Sequence, residues 1–279
     1  MRGSRWSVVL VCLTLLPLFT VFIVFTACAT SPLGRKQLIL LPDGQMNALG
    51  AQSFDELKAK TPIEKDARTN AYVQCVAQGI VQALKEGPGS GVATSWEVVV
   101  FRDSTPNAFA LPGGKIGVHT GILTAAKTPD QLAAVIGHEV GHVIARHGNE
   151  RVSQGQMAAL LMGVSQSALK NMKAEEKALI LAGLGAGVQF GAILPFSRSH
   201  ESEADLIGLD LMARAGFHPE GSVELWKNMS ASPGASMPEW LSTHPSGESR
   251  IANLRSRIPS VMPSYHSAVD SRGRPSCHH

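Results

Sequence analysis

A capped helix carrying two histidines four residues apart constrains this chain more than any other feature. Thr128-Pro129-Asp130-Gln131 supplies a capping hydroxyl, a proline at the first helical position and a glutamine three residues after the cap. The pattern predicts a helix from Pro129 to about Val152, with Gly137-His138-Glu139-Val140-Gly141-His142 in its middle. At about 100° per residue, His138 and His142 lie roughly 40° apart on one face, so both imidazoles point at a single ion. Glu139 sits about 100° from His138, beside such an ion, where a carboxylate can take a proton from metal-bound water. Gly137 and Gly141 leave room for another backbone or a substrate to come close. His147 falls on the opposite side of an unbroken helix and reads as a surface or packing residue.

Composition narrows the remainder. With 44% hydrophobic and 17% charged residues the chain can bury a core, and a disordered main state is excluded. A net charge of +3, with Lys and Arg scattered and only 5% aromatics, argues against a nucleic-acid partner. Arg2 and Arg5 precede an uncharged stretch from Trp6 to Ala27, which reads as an export signal or a membrane anchor. Small residues lead into Cys28, as in a bacterial lipobox, predicting lipidation of Cys28 after removal of residues 1–27; Ala29 in the next position favours the outer membrane. The alternative is an uncleaved membrane helix. Cys75 and Cys277 then remain, either paired in an oxidising compartment or as a buried and a free thiol.

The expected fold class is α+β: a mostly helical domain with a small sheet and hairpin beside the histidine helix. Residues 28–60 form the lipidated lead-in, 61–258 the folded domain, and 259–279, rich in Ser, Pro, His and Arg, a disordered tail. Helical spacing runs from Asp66 to Leu84, Trp96 to Phe101 reads as a strand, and Asn107 to His119 as a hairpin turning at Pro112-Gly113-Gly114. Further helices are predicted over Glu201–Arg214, Pro219–Asn228 and Ser246–Arg257. The uncharged Ala178–Phe196 stretch reads as a segment buried against protein, with a second membrane span as the alternative. If Asn107, Ala108, Phe109 and Ala110 lie on a sheet edge, they can pair with a substrate backbone; otherwise they form an ordinary inner strand.

A catalytic zinc needs a third protein ligand and an open position. Ser197-Arg198-Ser199-His200-Glu201-Ser202-Glu203-Ala204-Asp205 offers it, with Glu201 and Asp205 on one helical face, although spacing alone leaves Glu201, Glu203 and His200 all open. The ordered set His138-Glu139-x-x-His142, Ser197-Arg198, Glu201-x-x-x-Asp205, Thr243-His244-Pro245 and Arg250-Ile251 resembles a gluzincin-type zinc peptidase family. That family includes the CAAX prenyl endopeptidase, the HtpX heat-shock protease and periplasmic lipoprotein metalloproteases of bacteria. Gly34-Arg35-x-Gln37-Leu38 and Asn107 to Gly114 resemble it too. The resemblance implies a zincin-like fold with one zinc per chain held by His138, His142 and Glu201. It implies Glu139 as general base, Asp205 behind a ligand, and His244 over the open position, contacting the metal or stabilising the oxyanion. It implies an envelope endopeptidase acting on unfolded, misfolded or membrane-inserted proteins, with envelope assembly partners as an allied expectation. An envelope chaperone that needs the fold more than hydrolysis, and an integral membrane protease, are the competing readings.

Overall fold

The computed structural model describes residues 28–85, 93, 95–168, 197–230 and 248–278. The predicted leader, the Ala178–Phe196 stretch and His244 lie outside the described residues. The chain opens with a small antiparallel pair, β1 (Cys28–Thr30) with β2 (Lys36–Leu38). Two helices follow, α1 (Asp43–Lys60) and α2 (Ala67–Lys85). Strands β3 (Glu97–Phe101), β4 (Ala108–Leu111) and β5 (Lys115–His119) make a three-stranded sheet. The remaining described helices are α3 (Pro129–Ile144), α4 (His147–Ala168), α5 (Arg198–Ala215), α6 (Glu220–Ser230) and α7 (Glu248–Arg272). This is the expected α+β, mostly helical layout. No helix among the described residues is long and apolar enough to cross a membrane.

Sheet order is β3-β5-β4, with β3 and β5 parallel and β4 and β5 antiparallel. Gly113 and Gly114 take φ of 84° and 74°, the left-handed region that the tight β4–β5 turn demands. Among the described strands β4 pairs with β5 alone and forms one sheet edge. Phe109 lays its ring on Gly117 and stacks on Phe101, which fixes β4 against the sheet. The main core joins α2, the sheet, α3, α5, α6 and α7, and α3 is buried at every position from Gln131 to Ile144.

Helices α3 and α5 cross at backbone contact. A Cβ on Gly141 would lie 2.8 Å from the Ala204 carbonyl oxygen, and one on Gly208 would lie 2.8 Å from the Gly137 carbonyl carbon. The room foreseen at Gly137 and Gly141 is therefore filled by a neighbouring helix. This crossing brings the acidic face of α5 onto the histidine face of α3.

Three expectations need correction. The helix from Pro129 does not continue to Val152: it stops at Ile144, Arg146 adopts φ 55°, and α4 starts at His147. The lead-in holds an 18-residue helix, α1, whose few inward residues, Met46, Gly50 and Phe54, gave little apolar periodicity to read. The tail is not disordered. Helix α7 runs through Pro259 and Pro263 to Arg272, burying Leu254, Ile258, Val261, Tyr265 and Ala268 along one stripe. Alternating steps of four and three kept that stripe intact beneath a polar, proline-rich composition. Beyond it Cys277 is disulfide-bonded to Cys75 of α2, with Cα atoms 5.6 Å apart.

Two outcomes follow from these contacts. Gly141→Ala gains helix propensity but overlaps α5, so thermal unfolding should show a net loss of about 1–3 kcal/mol. Cys277→Ser should cost about 2–4 kcal/mol, and reducing agent should lower the wild-type melting temperature without affecting that variant.

Candidate metal centre

The site is assembled by two capped helices. Thr128 Oγ1 accepts from the Gln131 amide at 3.2 Å to start α3, and Ser197 Oγ accepts from the His200 amide at 3.3 Å to start α5. Gly216, at φ 81°, closes α5 in the left-handed conformation. With the crossing fixed, His138 and His142 of α3 face Glu201 and Asp205 of α5, and these four and Glu139 are buried.

Three side chains converge. His138 Nε2 lies 3.1 Å from His142 Nε2, while Glu201 Oε2 and Oε1 lie 3.4 Å from His138 Nε2 and His142 Nε2 respectively. A tetrahedral ion with bonds of about 2.0–2.1 Å needs ligand atoms roughly 3.3 Å apart. The three spacings match that edge length, and two imidazoles with one carboxylate suit zinc. Among the described residues this is the one group of three or more such side chains able to hold a metal.

Asp205 stands behind His138, its Oδ1 3.0 Å from Nδ1, which leaves Nε2 facing the other donors. Arg250 of α7 grips both Asp205 oxygens at 2.7 Å and reaches Glu201 Oε2 at 2.8 Å, with its guanidinium 4.0 Å from the Trp226 ring. Burial disfavours protonation of His138, but Asp205 and Glu201 outweigh it and raise its pKa to about 9. Burial likewise raises the Asp205 carboxyl, yet Arg250 and His138 hold it below its ordinary range. The pocket thus attracts positive charge, whether a proton or a cation.

A further buried layer lies behind His142. His147 is wholly buried, its Nδ1 2.9 Å from His142 Nδ1 and its Nε2 3.1 Å from Glu203 Oε2. This corrects the surface or opposite-face placement: the helix break at Ala145 and Arg146 turns His147 back towards His142. Burial, reinforced by the neighbouring His200, lowers the His147 pKa to about 4, so it is neutral near pH 7. Arg35, from the β1–β2 connection, binds Glu150 through two nitrogens at 2.8 and 2.6 Å and Glu203 at 2.9 Å. His200 pairs with Glu150 at 3.1 Å and stacks on His147 rather than joining the three donors.

Glu201 is therefore the carboxylate that geometry selects, with Glu203 and His200 one layer further out. Local spacing gave no sign of Glu150 or of roles for Arg35, Gln37 and Arg250, because their partners are distant in sequence. Of the strand residues, Ala108 is buried and Phe109 packs inward, while Ala110 and Leu111 line a cavity of about 1060 Å³ that His142 also borders.

Comparison with known proteins identifies a family and relatives for this chain. Residues 67–258 match the family described as peptidase family M48. The chain is 37% identical over 197 residues to mitochondrial metalloendopeptidase OMA1 of Schizosaccharomyces pombe, covering 70% of this chain and 54% of that one. It is 31% identical over 272 residues to the human mitochondrial metalloendopeptidase OMA1, covering 94% and 51%. With the beta-barrel assembly-enhancing protease of Escherichia coli it shares 29% identity over 225 residues, covering 79% and 45%. The chain spans about half the length of these relatives. Its histidine helix, its acidic helix and the stretch between them all fall within the matched region, and the chain belongs to peptidase family M48.

Proposed function

We propose that this chain is a zinc-dependent endopeptidase of the bacterial cell envelope, of the periplasmic lipoprotein kind, acting on misfolded or outer-membrane proteins. The observation that carries the reading is the set of three donor spacings among His138, His142 and Glu201, with Glu139 buried next to His138 in the chain. The Cys75–Cys277 pair supports an oxidising compartment. The uncharged run ending at Ala27 before Cys28 supports export and an acyl anchor in the outer membrane. Similarity to a beta-barrel assembly-enhancing protease supports envelope proteins as substrates.

In this reading His138, His142 and Glu201 hold one zinc ion, and Asp205 fixes the His138 tautomer. Bound there, zinc supplies a Lewis acid for the peptide carbonyl and a more acidic water. Glu139 takes the proton from the attacking water and delivers it to the departing amine nitrogen. For His244, which lies outside the described residues, the family resemblance supports a role in contacting the metal or stabilising the oxyanion. Asn107 and the outer edge of β4 from Ala108 to Ala110 pair with the substrate backbone, a mode that places few demands on side chains. Its edge position and the shared cavity bordered by Ala110 and His142 support that role.

Glu139→Gln should retain one zinc per chain and wild-type melting, while cleavage of an unfolded protein falls by about 10²–10⁴-fold. Undiminished cleavage by that variant would refute the assigned base. Glu201→Ala should lose zinc on dialysis, whereas wild type stripped by a chelator should regain activity on adding zinc.

A further inference from the structure

We infer that His147 and Arg35 are positioning residues for the metal: a hydrogen-bonded file from Arg35 through Glu203 and His147 aims His142 at the ion. The inference rests on the zinc reading above and adds residues outside the metal-binding motifs.

The file permits a consistent arrangement of protons. His142 Nδ1–H donates to His147 Nδ1 at 2.9 Å, and His147 Nε2–H donates to Glu203 Oε2 at 3.1 Å. Arg35 Nε donates to that same oxygen at 2.9 Å. This arrangement leaves the lone pair of His142 on Nε2, the atom that faces His138 Nε2 and Glu201 Oε1. His138 reaches the same state by a shorter route, through Asp205 and Arg250. Each candidate ligand histidine is thus backed by a carboxylate and an arginine, with His147 inserted as a spacer on one side. A partner that fixes the tautomer and ring angle of a ligand histidine strengthens metal binding.

The outer end of the file belongs to the N-terminal pair of strands. Arg35 bridges two carboxylates that are each only 5% exposed, and Leu33 N also reaches Glu203 Oε1 at 3.4 Å. Gln37 Nε2 donates to the Ala145 carbonyl at 2.5 Å, tying β2 to the chain just past the end of α3. The hairpin next to Cys28 therefore grips the same stretch of chain that carries His142.

The test compares zinc dissociation constants, measured by chelator competition on the full chain in detergent, for wild type, His147→Phe, His147→Asn and Arg35→Gln. Metal-free melting temperatures are recorded alongside. His147→Phe keeps bulk but loses both hydrogen bonds, and should weaken zinc binding by about 10–100-fold. His147→Asn places an amide oxygen near the Nδ1 position and should recover most of that loss. Arg35→Gln leaves two buried carboxylates without their guanidinium, so it should weaken zinc binding by about threefold to tenfold and also lower metal-free melting. Wild-type affinity in all three variants would overturn the inference. So would equal losses in His147→Phe and His147→Asn that track lowered metal-free melting, since that marks a packing role. A wild type that takes up no zinc would overturn the zinc reading itself and this inference with it.

Discussion

The backbone contact between α3 and α5 is the constraint on which the centre depends. A glutamate side chain is short, and Glu201 lies 3.4 Å from both histidines because nothing larger than a methyl separates the helices at Gly137, Gly141, Ala204 and Gly208. Ordinary helix pairs stand 8–10 Å apart, with side chains between them. Here small residues occupy the crossing, and His138, His142 and Asp205 each directly follow one of them in the chain.

That closeness imposes an electrostatic demand, because charged groups buried without partners are costly. The structure meets it twice with the same grouping. Asp205 and Glu201 share Arg250, and Glu150 and Glu203 share Arg35. In each case two carboxylates face one guanidinium, so negative charge remains in surplus, and the histidines lie where it is felt. Two remote segments, the N-terminal hairpin and α7, are thereby bound to the helices of the motif. The centre is held by the whole domain rather than by its two motif helices.

Much of this was legible in the sequence because the signals were local. Thr128-Pro129 starts α3 as its residue types require, and the i,i+4 pairs share faces as a 3.6-residue turn dictates. The choice of Glu201 over Glu203 and His200 was not legible, since it depends on how α5 is rotated against α3. His147 was misplaced because angular arithmetic assumes an unbroken helix, and nothing in Ala145-Arg146 announces a left-handed residue. The roles of Arg35 and Arg250 needed tertiary structure, their partners lying far away along the chain. In α7 the apolar stripe was present all along, but the two prolines and the polar residues around them obscured it.

The cross-link from Cys75 to Cys277 spans 202 positions and encloses nearly the whole domain in a covalent ring. A single peptide bond cut anywhere within that ring opens a loop without releasing a fragment. Both halves stay joined through sulfur, and the helices that meet at the centre keep their partners. Such a ring confers tolerance to nicks: the cut molecule remains one body until a reductant reaches it.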